Sequence, residues 1–127
     1  MRKRFLLAVA LLLTVAVPAS AGLPGVYWTT IAGQKPAVLN GRWRVSFLAG
    51  GRYTVAKDGA VLVAGMGSVR GDRITFGHET GPAACRGPQA TAVYRWTLRG
   101  KTLILTPISE RCPGRQVVLA TRPLIRR

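Results

Sequence analysis

The sequence predicts an all-β protein: a single small antiparallel up-and-down β-barrel of seven or eight strands, following a cleaved export leader. Three observations carry this expectation. Turn-forming pairs recur at short, regular intervals after residue 40, separated by runs rich in Val, Ile, Thr, Tyr, Phe and Trp. Within the clearest of these runs, apolar and basic residues alternate with period two, so one face of the sheet is apolar and the other basic. No stretch keeps a 3.6-residue apolar period for three turns, so no substantial helix is expected in the mature chain. A sheet with one apolar face and no helix to cover it closes on itself, which also removes its exposed edges.

In chain order, residues 1–21 place Arg2, Lys3 and Arg4 ahead of an apolar run from Phe5 to Val17, followed by Pro18 and the small triplet Ala19-Ser20-Ala21. This is the pattern of a secretory signal peptide cut after Ala21. The apolar run falls short of the roughly 20 residues a spanning helix needs, so no transmembrane segment is expected in the mature chain. An uncleaved anchor is the alternative. Segment 22–39 contains "VYWTTI" at 26–31, a possible first strand that would be the eighth of the barrel. The barrel domain is read over 40–122, with strands at 41–48, 52–57, 60–70, 73–77, 91–98, 102–107 and 115–121. They are punctuated by Gly50-Gly51, Asp58-Gly59, Gly71-Asp72, the loop from His78 to Gln89, Arg99-Gly100 and the segment Ser109 to Gly114. Residues 123–127 form a basic tail. Trp43, Val45 and Phe47 point one way and Arg42, Arg44 and Ser46 the other; Tyr94, Trp96 and Leu98 alternate likewise with Arg95, Thr97 and Arg99.

The leader's removal leaves sixteen Lys and Arg against Asp58, Asp72, Glu79 and Glu110, a formal net charge of +12 on residues 22–127. Such a charge gives affinity for anionic surfaces and does not specify a fold. Nucleic acid is not an expected partner, because stacking proteins share aromatic and basic residues on one face, whereas here they fall on opposite faces. Cys85 and Cys112 are the two cysteines of the chain. In a secreted or periplasmic protein such a pair reads as one disulfide, with two free structural thiols as the alternative.

No motif for catalysis is visible, and the expectation is that the protein is not an enzyme. His78, the single histidine, lies in a Gly77-His78-Glu79 turn; the four carboxylates fall on separate turns, so no paired acid and base is apparent; and no Ser or Cys sits in a nucleophile motif. One His and two bonded Cys are too few for a zinc site, and neither a metal nor a cofactor is expected.

At "NGRW" the chain resembles the lipocalins and the wider calycin barrels, in which a Gly-x-Trp opens the first barrel strand; Gly41 and Trp43 match. The rest is similar to small bacterial exported lipocalin-like proteins, through Gly81-Pro82-Ala83-Ala84-Cys85, Tyr94-Arg95-Trp96 and Cys112-Pro113-Gly114-Arg115, over residues 40–122. The resemblance implies that Trp43 closes one end of the barrel beneath an arginine of the last strand, a cation–π stack of about 0.5–2 kcal/mol. Arg115 is the best placed partner and Arg122 the second. The chain is shorter than a typical lipocalin, lacks a Thr-Asp-Tyr element and shows no helix to pack outside the barrel.

Tyr53, Met66, Phe76, Tyr94 and Trp96 are the candidates for an apolar lumen, where they either fill the core or line a pocket for a small hydrophobic or amphipathic ligand. Gly65 and Gly67 around Met66 mark a bulge or bend in the wall. Three function classes are carried forward for a monomeric barrel, an enzyme ranking last. The first is a lipocalin-like binder of such a ligand. The second is a basic module that docks on anionic envelope polymers, lipid head groups or an acidic protein, including a foreign enzyme it inhibits, through Arg42, Arg44 and Arg95.

Overall fold

The computed structural model describes residues 8, 10–13, 15–18, 23 and 25–127. The basic residues and the expected cleavage point at Ala21 of the segment read as a leader lie outside the described residues. Among the described residues the strands are β1 Val17–Pro18, β2 Gly25–Ile31, β3 Gly41–Phe47, β4 Arg52–Lys57, β5 Ala60–Arg70, β6 Arg73–Thr80, β7 Ala92–Arg99, β8 Thr102–Ser109 and β9 Leu124–Arg126, with an α-helix, α1, at Pro113–Ala120. From β2 to β9 each strand pairs antiparallel with the next, and β9 returns to β2 through Tyr27 opposite Arg126 and Trp28 opposite Ile125. The result is a closed eight-stranded barrel. The short β1, within the stretch read as leader, adds two pairs at Ser68 and Val69 of β5.

The period-two pattern places the side chains as expected. Trp43, Val45 and Phe47 of β3 are buried inside, as are Tyr53 and Val55 of β4 and Ile74 and Phe76 of β6. The lumen is crossed by an aromatic column with Phe76 at its hub. The Phe76 ring centroid lies 5.2 Å from Tyr53 and 5.6 Å from Tyr94, both edge to face, and 6.5 Å from Phe47, which meets Tyr27 at 5.7 Å. Edge-to-face pairs of this kind add about 0.5–1.5 kcal/mol beyond the area they bury.

One expected strand is corrected. Residues 115–121 are not a strand; α1 takes up 115–120, Thr121 caps it, and the last strand follows Pro123. Pro113 stands at the first helical position, where its fixed φ suits a helix and its missing N–H costs nothing. Arg115, Val118 and Leu119, spaced i, i+3, i+4, then form one buried face. The β-branched pair Val117-Val118 reads as strand, but burial of that face outweighs propensity.

Because the strands alternate in direction, the β2–β3, β4–β5, β6–β7 and β8–β9 connections gather at one end of the barrel, and the tight turns at 48–51, 71–72 and 100–101 at the other. α1 belongs to the last long connection and packs against β8, β2 and the 3-10 turn Ala37–Leu39. The long-connection end is therefore roofed. Among the described residues no helix is long and apolar enough to cross a membrane.

Candidate functional site

Two strand irregularities build the roofed end. β6 runs past its expected stop at residue 77. On β6, Gly77 pairs with Met66 but Thr80 pairs with Ala64, so β6 carries one residue more than β5. The extra residue is accommodated at His78, in the left-handed region at φ 51°. Without it, Ile74 and Phe76 would be followed inward by His78; with it, His78 is exposed and Glu79 turns inward, its side chain 2% exposed. β8 repeats the device: Val93 pairs with Ser109 and Tyr94 with Pro107, and the shift points Glu110 rather than Ser109 into the barrel, 1% exposed.

Both carboxylates meet Arg115, which α1 lowers into the same end with 5% of its side chain exposed. Its Nε and Nη2 donate to the two Glu110 oxygens at 2.8 and 2.9 Å, Nη1 donates to the Ala90 carbonyl at 2.9 Å, and Nη2 also donates to the Gln89 carbonyl at 2.8 Å. Glu79 Oε2 lies 3.4 Å from Nη1. The Tyr53 hydroxyl donates to Glu79 and that of Tyr94 to Glu110. The backbone N–H groups of Cys85 and Cys112 donate to Glu79 at 2.9 Å and Glu110 at 2.8 Å. Those cysteines are bridged, their Cα atoms 6.1 Å apart, so the expected disulfide ties together the two loops that hold the carboxylates. The four carboxylates thus do not all stay apart, as the sequence implied; two share one guanidinium.

The protonation states follow from this arrangement. Burial alone raises the Glu110 pKa, but hydrogen bonds from Arg115, Tyr94 and the Cys112 amide outweigh it and hold the group below the usual carboxylate range. Burial first, then the facing carboxylate, pushes the Tyr53 and Tyr94 phenols well up. Burial opposes the charge on Arg115, and Glu110 and Glu79 more than restore it.

Beside the cluster lies a cavity of about 90 Å³. Its apolar wall includes Trp43, Val45, Val55, Val63, Val118 and Leu119, and its polar wall Glu79 and Arg115. Trp43 is buried with its Nε1 donating to the Leu39 carbonyl at 2.8 Å. Arg115 shares this cavity, but the expected stack over the Trp43 ring is replaced by ion pairing with the two glutamates. The guanidiniums that do stack on an indole are those of Arg42 and Arg44, on Trp28.

Of the lumen candidates, Tyr53, Phe76 and Tyr94 are buried inside the barrel, and Tyr53 and Phe76 border the cavity. Trp96 faces inward, partly buried, and its Nε1 reaches the Gly71 carbonyl at 3.1 Å, toward the tight-turn end. Met66 is corrected: it points outward and is 41% exposed. Its neighbour Gly65 is the inward residue, and a Cβ there would stand 2.7 Å from the Tyr53 ring, so the missing side chain makes room for the tyrosine instead of opening the wall. Glu79, Glu110 and α1 were not legible as site elements. The signal for the carboxylates was the cysteine pair, since each glutamate shortly precedes one half of the bridge. Among the described residues no three His, Cys, Asp or Glu side chains gather to hold a metal. Comparison with family models, curated proteins and solved structures gives no match.

Proposed function

We propose that this chain is an exported, monomeric, lipocalin-like barrel that binds a small amphipathic ligand under the α1 roof without transforming it. The observation that carries this reading is the pairing of an apolar cavity with one convergent polar wall, the usual form of a small-molecule site. Its size limits the ligand. Sites for drug-sized molecules run from about 300 to 1,000 Å³, whereas about 90 Å³ is the liquid volume of roughly three waters. The aromatic column takes up the rest of the lumen, so the ligand is a compact aliphatic group and not a long lipid.

The polar wall selects its head group. The Arg115 N–H groups are already directed at Glu110, Glu79 and two carbonyls, so what the wall can still offer is the second lone pair of the Glu79 oxygens, which already accept from Tyr53 and the Cys85 N–H. Two carboxylates against one guanidinium carry a net negative charge, which favours a ligand that donates, such as a short branched amine or alcohol. Fixed partners on every charged group support binding over proton transfer, and a disulfide supports an oxidising compartment.

The test is a titration of the mature protein with isobutylamine and isobutanol, followed through amide chemical shifts. Saturable shifts at Val63, Val118 and Leu119 that vanish in Val118→Phe, a variant that fills the cavity, are expected. Absence of any saturable shift in the wild type, or shifts that persist in a folded Val118→Phe, overturns the reading.

A further inference from the structure

The outer face of the barrel carries a second feature, independent of the lumen. Trp28 of β2 sits between Arg44 of β3 and Ile125 of β9 in the strand register. The Arg42 guanidinium lies 4.2 Å from the indole ring centroid and that of Arg44 5.6 Å. Two open grooves flank the indole, of about 480 Å³ toward β3 and about 360 Å³ toward β9. Both are bounded by Trp28, Arg42 and Arg127, and Arg122 adds to the second.

Among the described residues none of these four arginines has a carboxylate partner. Ion pairs among the described residues are Arg95 with Asp72, and Arg115 with Glu79 and Glu110. Asp58, which approaches Arg42, accepts its backbone N–H at 3.2 Å instead of pairing with the guanidinium. Stacking on Trp28 holds Arg42 and Arg44 in place and leaves their charge unneutralised.

We propose that this surface binds a linear phosphate polymer, laid along β2 with successive phosphoryl groups in the two adjoining grooves. The guanidinium fork matches phosphate oxygens in pairs, which a point charge does not. Four arginines spread over two grooves exceed what one phosphate engages, which favours a chain over a lone ion. A membrane surface fits less well, because the Trp28 ring is half-buried and covered by guanidiniums and so is not free to enter lipid. Trp28 shares the outer face with Arg42 and Arg44, which corrects the expectation that aromatic and basic residues lie on opposite faces, but nucleic acid still fits less well, since base stacking needs an open aromatic face.

The test is calorimetric titration of the mature chain with long-chain inorganic polyphosphate at several salt concentrations. Binding is expected to weaken linearly in log salt. In Arg42→Ala/Arg44→Ala/Arg127→Ala it is expected to fall at least tenfold, with the salt slope reduced by about 0.7 for each phosphate no longer neutralised. The charge-matched triple Arg70→Ala/Arg73→Ala/Arg99→Ala, at exposed positions outside the grooves, should keep most of the affinity. Should the first triple fold poorly, Arg127→Ala alone at the chain end gives the same directional readout. Equal losses in the two triples would reduce the effect to overall charge and overturn the proposal. So would tighter binding to phosphatidylglycerol vesicles or a single-stranded oligonucleotide than to polyphosphate of equal charge, or complete competition by inorganic phosphate at matched phosphate concentration.

Discussion

Arg115 is the residue on which the roofed end depends. Its guanidinium meets two carboxylates that are almost wholly withdrawn from water, and it also closes the chain carbonyls of Gln89 and Ala90. Removing one partner of a buried charge cluster leaves the others uncompensated, a cost of about 3–5 kcal/mol. Arg115→Met is therefore expected to lower unfolding free energy by that amount in urea denaturation. Adding Glu79→Gln and Glu110→Gln to it should recover much of the loss, because amides need no counter-charge. The tyrosines yield a second expectation. All three, Tyr27, Tyr53 and Tyr94, have phenols raised above their ordinary value, chiefly by burial, with Glu79 and Glu110 adding to the effect on the latter two. A raised folded pKa contributes stability that is fully present below the unfolded value, about 10, and is lost as pH climbs above it. The Tyr53 and Tyr94 phenols should therefore ionise only together with the loss of far-ultraviolet β signal, well above pH 10. Phenolate absorbance from either in a folded protein would contradict it. Glu110 has the opposite sign: its folded pKa is lowered, so its contribution is complete above the unfolded carboxyl value of about 4.3 and fades as pH falls through the lower folded one.

At the scale of elements, the site is a consequence of two misfits in register. Each extra residue, in β6 near His78 and in β8 before Ser109, reverses the inward and outward alternation for the remainder of its strand. A one-residue change of phase moves every following side chain to the other face. His78→Gly keeps the bulge and relieves a left-handed conformation that costs a non-glycine residue about 1–2 kcal/mol, so it should be neutral or stabilising. Deleting His78 restores regular pairing with Glu79 opposite the inward Gly65 and Thr80 still opposite Ala64, so Glu79 stays inward and Tyr53 keeps its acceptor. Thermal melts of both variants should stay close to that of the parent, because neither turns Glu79 outward. A deletion variant far less stable than His78→Gly would mean that the bulge does more than set the phase of Glu79. Helix α1 works with these bulges, because its buried face of Arg115, Val118 and Leu119 supplies both the counter-charge and the cavity roof.

At the scale of the whole molecule, barrel closure and the Cys85–Cys112 bridge act together. The bridge spans 27 positions, and in the loop-entropy description such a cross-link contributes roughly 3–4 kcal/mol. For a domain of about 100 residues, each kcal/mol moves the melting temperature by about 4–8 °C. The Cys85→Ala/Cys112→Ala variant should consequently melt about 12–30 °C lower, and it should also bind the small amine less well, since the two cysteine amides hold the carboxylates. An unchanged melting temperature would deny the bridge a structural role. Much of this architecture was legible without coordinates. Turn spacing and period-two alternation are local properties, and they placed β4 and β5 at their observed limits and sent Trp43, Val45 and Phe47 to the interior, because a residue in a strand has only two faces to choose from. What only the tertiary structure decided depends on contacts between distant segments. Residues 115–120 became a helix because its buried face found a barrel mouth to cover. Met66 faced outward because Tyr53 occupies the space beside Gly65. Glu79 and Glu110, 31 positions apart, became neighbours because two bulges and one disulfide turned them toward the same guanidinium. Local pattern fixes the face a side chain prefers, whereas the partner that makes a buried charge tolerable can be supplied only by the closed fold.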